Sequence, residues 1–150
     1  MTEVGFYHLT RSTLDDALPR LLEKAYASGV RVLVRGRDAE RIDLLDRALW
    51  TYRKESFLPH GTRADGFSDQ QPIYLTATVE NPNRATVLVR IEEAEAPDLA
   101  SFARCLDLFD GHDPDAVARA RQRWRDAQAA GHACTYWQQG ERGGWVKAGG

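Results

Sequence analysis

The 150-residue chain has no apolar run approaching the 18 residues of a membrane-spanning helix, and its first residues lack a basic stretch followed by an apolar one. A soluble, cytoplasmic protein without a targeting segment is therefore expected. Cysteine is scarce. Cys105 and Cys134 show neither metal-ligand nor redox spacing, so both are expected as reduced, partly buried thiols. No low-complexity tract or internal repeat interrupts a composition that is 43% hydrophobic and 28% charged, which suits one globular domain. A broad excess of positive charge is missing too. The formal net charge of −2 divides into +4 over residues 117–150 and −6 over the 116 residues before them. A mostly acidic body argues against general binding to a nucleic-acid backbone, whereas a small basic patch suits a short acidic ligand.

Phosphate-binding chemistry is equally sparse. A dinucleotide site needs Gly-x-Gly-x-x-Gly between strand and helix, so that backbone amides can approach a pyrophosphate. After the run "VRVLVRG" there is only Gly36, followed by "RDAER", and no Gly-Lys-Ser/Thr ends a phosphate loop. The four histidines (His8, His60, His112 and His132) are scattered. Asp110, His112, Asp113 and Asp115 cluster before a helix, where carboxylates cap and solvate loops. No nucleophile–base pair, metal set or cofactor site is expected.

Patterning gives the elements. Gly5–Leu9 reads as a first strand, and Ser12 and Thr13, each followed three residues later by Asp, open a helix to about Ser28 that Gly29 closes. Pro19 bends that helix or marks its firm start. Val30–Gly36 is a buried strand, and Ile42, Leu45, Leu49 and Tyr52 form the apolar stripe of a second helix over Ala39–Tyr52. A polar loop over Gly61–Gln71 leads to strands at Pro72–Ala77 and Thr86–Ile91. Leu99, Phe102, Ala103, Leu106 and Phe109 predict a third amphipathic helix after Pro97, and Asp113-Pro114 caps a fourth that Gly131 ends. Strands alternating with helical stretches predict an α/β fold of three layers around an open, mostly parallel sheet. It is a nucleotide-binding-like scaffold without a nucleotide site.

Two surfaces stand out. With Trp124 at the origin of a helical wheel, Val117, Ala120 and Ala127 fall within about 60° of it. Gln128, Arg121 and Arg125 lie on one flank at about 40°, 60° and 100°, and Arg119 and Arg123 on the other. The first flank has the makings of a site for a carboxylate-bearing apolar peptide end. A solvated Arg-rich face with Trp124 in the core is the other reading. Trp50 lies about 100° off its helix's stripe, so with Phe57 it forms either an interface anchor or a satellite cluster over the end of the sheet.

The strings "FYHL", "RVLV", "LLDRALW", "ESFLPH" and "ARQRWRDAQAAGH", in this order over residues 5–137, resemble the chi-subunit family of bacterial DNA polymerase III. The resemblance implies one chi-like α/β domain over residues 1–138; glycine content makes residues 139–150 a flexible tail, for which the family offers no counterpart. It implies a non-catalytic replicase subunit without a cofactor, paired with the psi subunit and through psi with the clamp loader. By position, Trp50 and Phe57 match the family's psi-binding aromatics. Val117, Arg121, Trp124, Arg125 and Gln128 match the helix that takes the acidic C-terminal tail of single-stranded-DNA-binding protein, a tail ending in Pro-Phe and a free carboxylate. An iron–sulfur helicase competes for the psi surface in the family. Some members carry basic residues where this chain has Val117 and Gln128, which makes the patch here weaker in charge. The alternative reading is a small nucleotide-binding or nucleotide-processing enzyme on the same scaffold. Direct binding of single-stranded DNA is a third reading, opposed by the acidic body.

Overall fold

The computed structural model describes residues 2–52, 58–141 and 144–148. The elements run β1 (Glu3–Leu9), α1 (Leu14–Ala27), β2 (Val32–Arg35), α2 (Ala39–Trp50), β3 (Gly61–Thr62), β4 (Ile73–Thr76), β5 (Val87–Ile91), β6 (Arg104–Asp110), α3 (Pro114–Ala129), β7 (Ala133–Gln139) and β8 (Trp145–Ala148). They build an eight-stranded sheet of order β3-β4-β2-β5-β6-β1-β7-β8, in which every pairing is parallel except β7 with β8. Parallel strands need crossover connections, and the three that contain α1, α2 and α3 cover both faces. Ile42, Leu45 and Leu49 of α2 join Leu18 and Leu22 of α1 in the core on one face. Ala120 and Ala127 of α3 pack with Phe6, Phe102, Cys105 and Phe109 on the other. This is the expected three-layer α/β architecture.

Local chemistry explains the helix limits. Thr13 accepts from the Asp16 amide and Asp38 from the Arg41 amide, so α1 and α2 start at side-chain caps. Pro19 lies inside α1 rather than starting it, with its ring buried. Asp113 caps α3, with Pro114 at its first position, where a missing N–H costs nothing.

Four departures from the sequence pattern have physical causes. The expected third helix is instead a short 3-10 turn (Leu99–Ser101) followed by β6. Its apolar residues fitted helical spacing, yet Cys105 through Phe109 are all buried because this strand is covered on both faces. The expected fourth helix is therefore α3. Within the expected loop over 61–71, Gly61 and Thr62 pair with β4 as the sheet's edge. Two strands follow α3 where none was expected. β7 pairs with β1, and Trp145 of β8, in the segment expected as tail, meets the Tyr7 ring edge-on at 4.9 Å.

Gln139, the last residue of β7, ties that strand to the segment after β1. Its side-chain oxygen accepts from the backbone amides of Thr10, Arg11 and Ser12 at 3.0, 2.8 and 3.1 Å, and its amide donates to Ser12 Oγ at 2.6 Å. Those three converging amides lie between β1 and α1. In dinucleotide folds the first strand-to-helix turn holds a phosphate; here the amides hold a carboxamide of the same chain.

Charge is buried at the end of β2. Arg35, fully buried, donates to both oxygens of Asp98 at 2.7 and 2.9 Å and to the carbonyls of Glu95 and Glu80. The guanidinium's hydrogen bonds hold the Asp98 carboxyl below the usual carboxylate range, outweighing partial burial. Asp98→Ala strands a buried guanidinium and should destabilise the fold by about 3 kcal/mol in urea unfolding. The sign with pH follows from the lowered folded-state pKa. The stabilisation is complete above the unfolded carboxyl value of about 3.9 and is lost as pH falls through the lower folded one. Wild type should therefore lose its advantage over Asp98→Ala only at that acid end.

Candidate protein-interaction surfaces

Helix α3 divides its arginines by partner. On one flank Arg123 forms a two-pronged bond to Asp107, at 2.7 and 2.8 Å, and reaches Glu93 at 3.4 Å. Asp107 is 1% exposed, so this pair is nearly removed from water. Arg119 also donates to Glu93. Glu93 can hold both because it sits in the left-handed region, φ +63°, directly after β5. Its neighbour Glu92, at φ +49°, turns to the opposite layer and accepts from Arg41 of α2.

The other flank overlooks β7. Half-buried Trp124 meets the Phe6 ring at 5.3 Å and the Tyr136 ring at 6.1 Å, and Val117 is partly buried against the same core. Arg121, Arg125 and Gln128 are exposed. Arg125 bends back to Gln122 Oε1 at 2.8 Å. Arg121 makes no ion pair with any carboxylate among the described residues. The structure thus brings Val117, Arg121, Trp124, Arg125 and Gln128 together on one flank of α3, with Trp124 partly in the core and partly at the surface.

Sequence reasoning did not find two residues beside this flank. His8 lies on the same sheet face as Phe6, in register with Phe109 of β6 and Gln138 of β7. Its ring stacks on Phe109 at 5.0 Å and its Nδ1 bonds the Tyr136 hydroxyl. Gly111 makes room, since a Cβ there would stand 2.1 Å from the His8 ring and 2.5 Å from the Leu9 carbonyl. Burial lowers the His8 pKa, the Gly111 backbone opposes that, and the nearby charges of Arg121 and His112 lower it further. Burial raises the Tyr136 pKa and Arg121 counters it. The signal available in the sequence was a histidine and a tyrosine at alternate, face-matched strand positions, which needs the β1–β7 register to be read.

Trp50 ends α2 half-exposed, at 50%, and its ring packs on His60 at 4.5 Å. His60 is buried, bonded through Nδ1 to the Leu58 carbonyl at 2.7 Å, with Asp46 3.1 Å from Nε2. The anchor's expected second member, Phe57, lies outside the described residues. The Asp110–Asp115 cluster does what loop carboxylates do. Asp110 accepts from the His112 amide and Asp113 from that of Asp115. No group of three potential metal ligands occurs among the described residues, and no described helix is long and apolar enough to cross a membrane. Both cysteines are free, and burial pushes the Cys105 thiol far up.

Fold and exposed groups together define a three-layer α/β protein of nucleotide-binding-like topology with exposed arginines on one flank of α3. The chain belongs to the DNA polymerase III chi subunit family: the family model described as "DNA polymerase III chi subunit, HolC" matches residues 1–135. It is 32% identical over 109 residues to the probable DNA polymerase III subunit chi of Rickettsia prowazekii, a match spanning 73% of this chain and 66% of that protein. The DNA polymerase III subunit chi of Escherichia coli is 26% identical, with 87% of this chain and 94% of that one covered. The Pseudomonas aeruginosa subunit chi is 28% identical, with 88% and 93% covered. Membership places the chain among the accessory subunits of that replicase.

The division of α3 is measurable as stability. Arg123→Ala leaves Asp107 buried and unpaired, and should cost about 3–5 kcal/mol in denaturant unfolding. Arg121→Ala removes an exposed group without an ionic partner and should stay within about 0.5 kcal/mol of wild type.

Proposed function

We propose that this chain is a non-catalytic adaptor of the replicase. It binds the psi subunit, and through psi the clamp loader, by a surface that includes Trp50 and Phe57. By the outer flank of α3 it binds the acidic C-terminal tail of single-stranded-DNA-binding protein. The observation that carries the reading is Arg121, a guanidinium without a carboxylate partner among the described residues, beside the half-buried Trp124, in a chain of the chi family. A planar guanidinium gives two parallel donors to one carboxylate, and Trp124 with Val117 offers the apolar floor for a terminal side chain. Arg125, tied back to Gln122, meets acidic residues of the tail at longer range. The 50% exposure of Trp50 supports the psi surface, since a half-exposed Trp has area to bury against a partner. An iron–sulfur helicase is a competitor for that surface.

Two experiments test the adaptor. Trp50→Ala should cost about 2–4 kcal/mol of psi binding by calorimetry. Its stability cost should be about 1 kcal/mol, because the ring's packed side is the His60 contact. Failure of wild type to form a 1:1 complex with psi in size-exclusion chromatography would sink that half. Arg121→Ala should weaken a tail peptide by about 1.5–3 kcal/mol, and Arg125→Ala by less than about 1 kcal/mol with a flatter salt dependence. Amidating the peptide should weaken wild type nearly as much as Arg121→Ala does; equal binding of the amide and the free acid would refute the carboxylate clamp.

A further inference from the structure

Arg121 does not stand alone on its flank. Arg123 fixes one side of α3 to Asp107 on β6, so Arg121 projects over β7 and the end of β1, where His8 and Tyr136 lie. Arg121 lies one turn before Trp124 on α3, and the Trp124 ring packs at 6.1 Å on the Tyr136 ring that bonds His8, so the charge of Arg121 bears on both groups. We propose that His8 and Tyr136 complete the carboxylate site at Arg121, so that this face takes up a proton together with an acidic peptide end and binds it more tightly as the pH falls. The proposal rests on the reading of Arg121 as the carboxylate-binding group.

The chemistry follows from hydrogen-bond direction. With neutral imidazole, Nδ1 accepts and the Tyr136 hydroxyl donates to it, leaving the phenol oxygen's lone pairs toward the ligand side. When solvent protonates His8, Nδ1–H becomes the donor. The phenol oxygen then accepts, and its own hydrogen is free to turn to the incoming carboxylate. One proton thus adds a second cation beside Arg121 and converts a repelling hydroxyl into a donor. The charged groups that face His8 are Arg121 from α3, Asp110 from the end of β6 and His112 from the turn after it. In the free protein, burial is the largest cause holding the imidazolium back, and Arg121 and His112 add to it. A bound carboxylate opposes both cations, so ligand binding raises the His8 pKa. By linkage, affinity must then increase as pH falls through the liganded value and level off above it.

The test is titration calorimetry of the full chain with a histidine-free acidic peptide ending in Pro-Phe, as free acid and as amide, from pH 8 to pH 5.5. The peptide's carboxylates stay ionised across this range. Wild type should bind the free acid at least about threefold more tightly at the acid end, as expected for an imidazole joined by an opposite charge. The amide should show no such rise. His8→Gln should abolish the rise, and Tyr136→Phe, which keeps the imidazole but removes the relay, should reduce it. His112→Gln should retain it, because His112 is a neighbour rather than a member of the site. An NMR titration of the His8 ring in wild type, free and with peptide, needs no folded variant and should show the pKa move up on binding. Binding that is flat with pH, or a His8 titration unmoved by peptide, overturns this proposal while leaving the Arg121 clamp intact. Absence of binding at every pH overturns both.

Discussion

The bond between Arg123 and Asp107 fixes the rotational setting of α3, and the character of the outer surface follows from it. Asp107 is buried in a central strand and cannot be left without a partner, so the helix must present Arg123 to it. Once that angle is set, helical geometry decides the rest. Ala120 and Ala127 face the core, where their small side chains let the helix lie close to the sheet. Trp124 straddles the boundary, and Arg121 comes out on the side where no acidic residue among those described pairs with it. A rotation by a quarter turn would bury a different set of groups and strand the carboxylate. Paired and exposed arginines are thus divided between two flanks of one helix.

The same economy appears at the ends of the strands. A scaffold of this topology offers converging backbone amides after its first strand, and a nucleotide-binding protein leaves them for a phosphate. Here Gln139 takes all three hydrogen bonds. After β5, the consecutive residues Glu92 and Glu93 adopt left-handed conformations and face opposite layers, one holding α2 and the other α3. Strain of this kind persists where surrounding bonds over-determine it, and the ion pairs on both sides do so. The loops at this end of the sheet serve to join the layers.

Much of this was legible in the sequence, and what was not has a physical cause. Helices α1 and α3 declared themselves through the caps Thr13 and Asp113, and α2 through its apolar periodicity, all local signals. The flank of α3 was readable for the same reason: its residues belong to a single helix, whose geometry is known in advance. β6 was not, because Leu99, Phe102, Leu106 and Phe109 satisfy helical spacing by coincidence, and a strand buried on both faces shows no alternation of its own. β7 and β8 lie among glycines and polar residues and owe their order to partners far away in the chain, Tyr7 and residues 10–12. His8 and Tyr136 were invisible for that reason too. They meet across 128 residues, and only the strand register brings them together.

The position of β1 between β6 and β7 has a consequence for how the protein comes into being. Among the strands of this sheet β1 is made before the others, and it has no neighbour among the next several elements. Its earliest partner begins at Arg104, and its other partner at Ala133. At a synthesis rate of about 5–20 residues per second, the nascent strand waits roughly 5–20 s with both edges open. During that interval β2, β4 and β5 can already pair among themselves, since all three are complete by Ile91. The half of the sheet that carries α2 can thus assemble during synthesis, while the half that carries α3 must wait for β6 and β7.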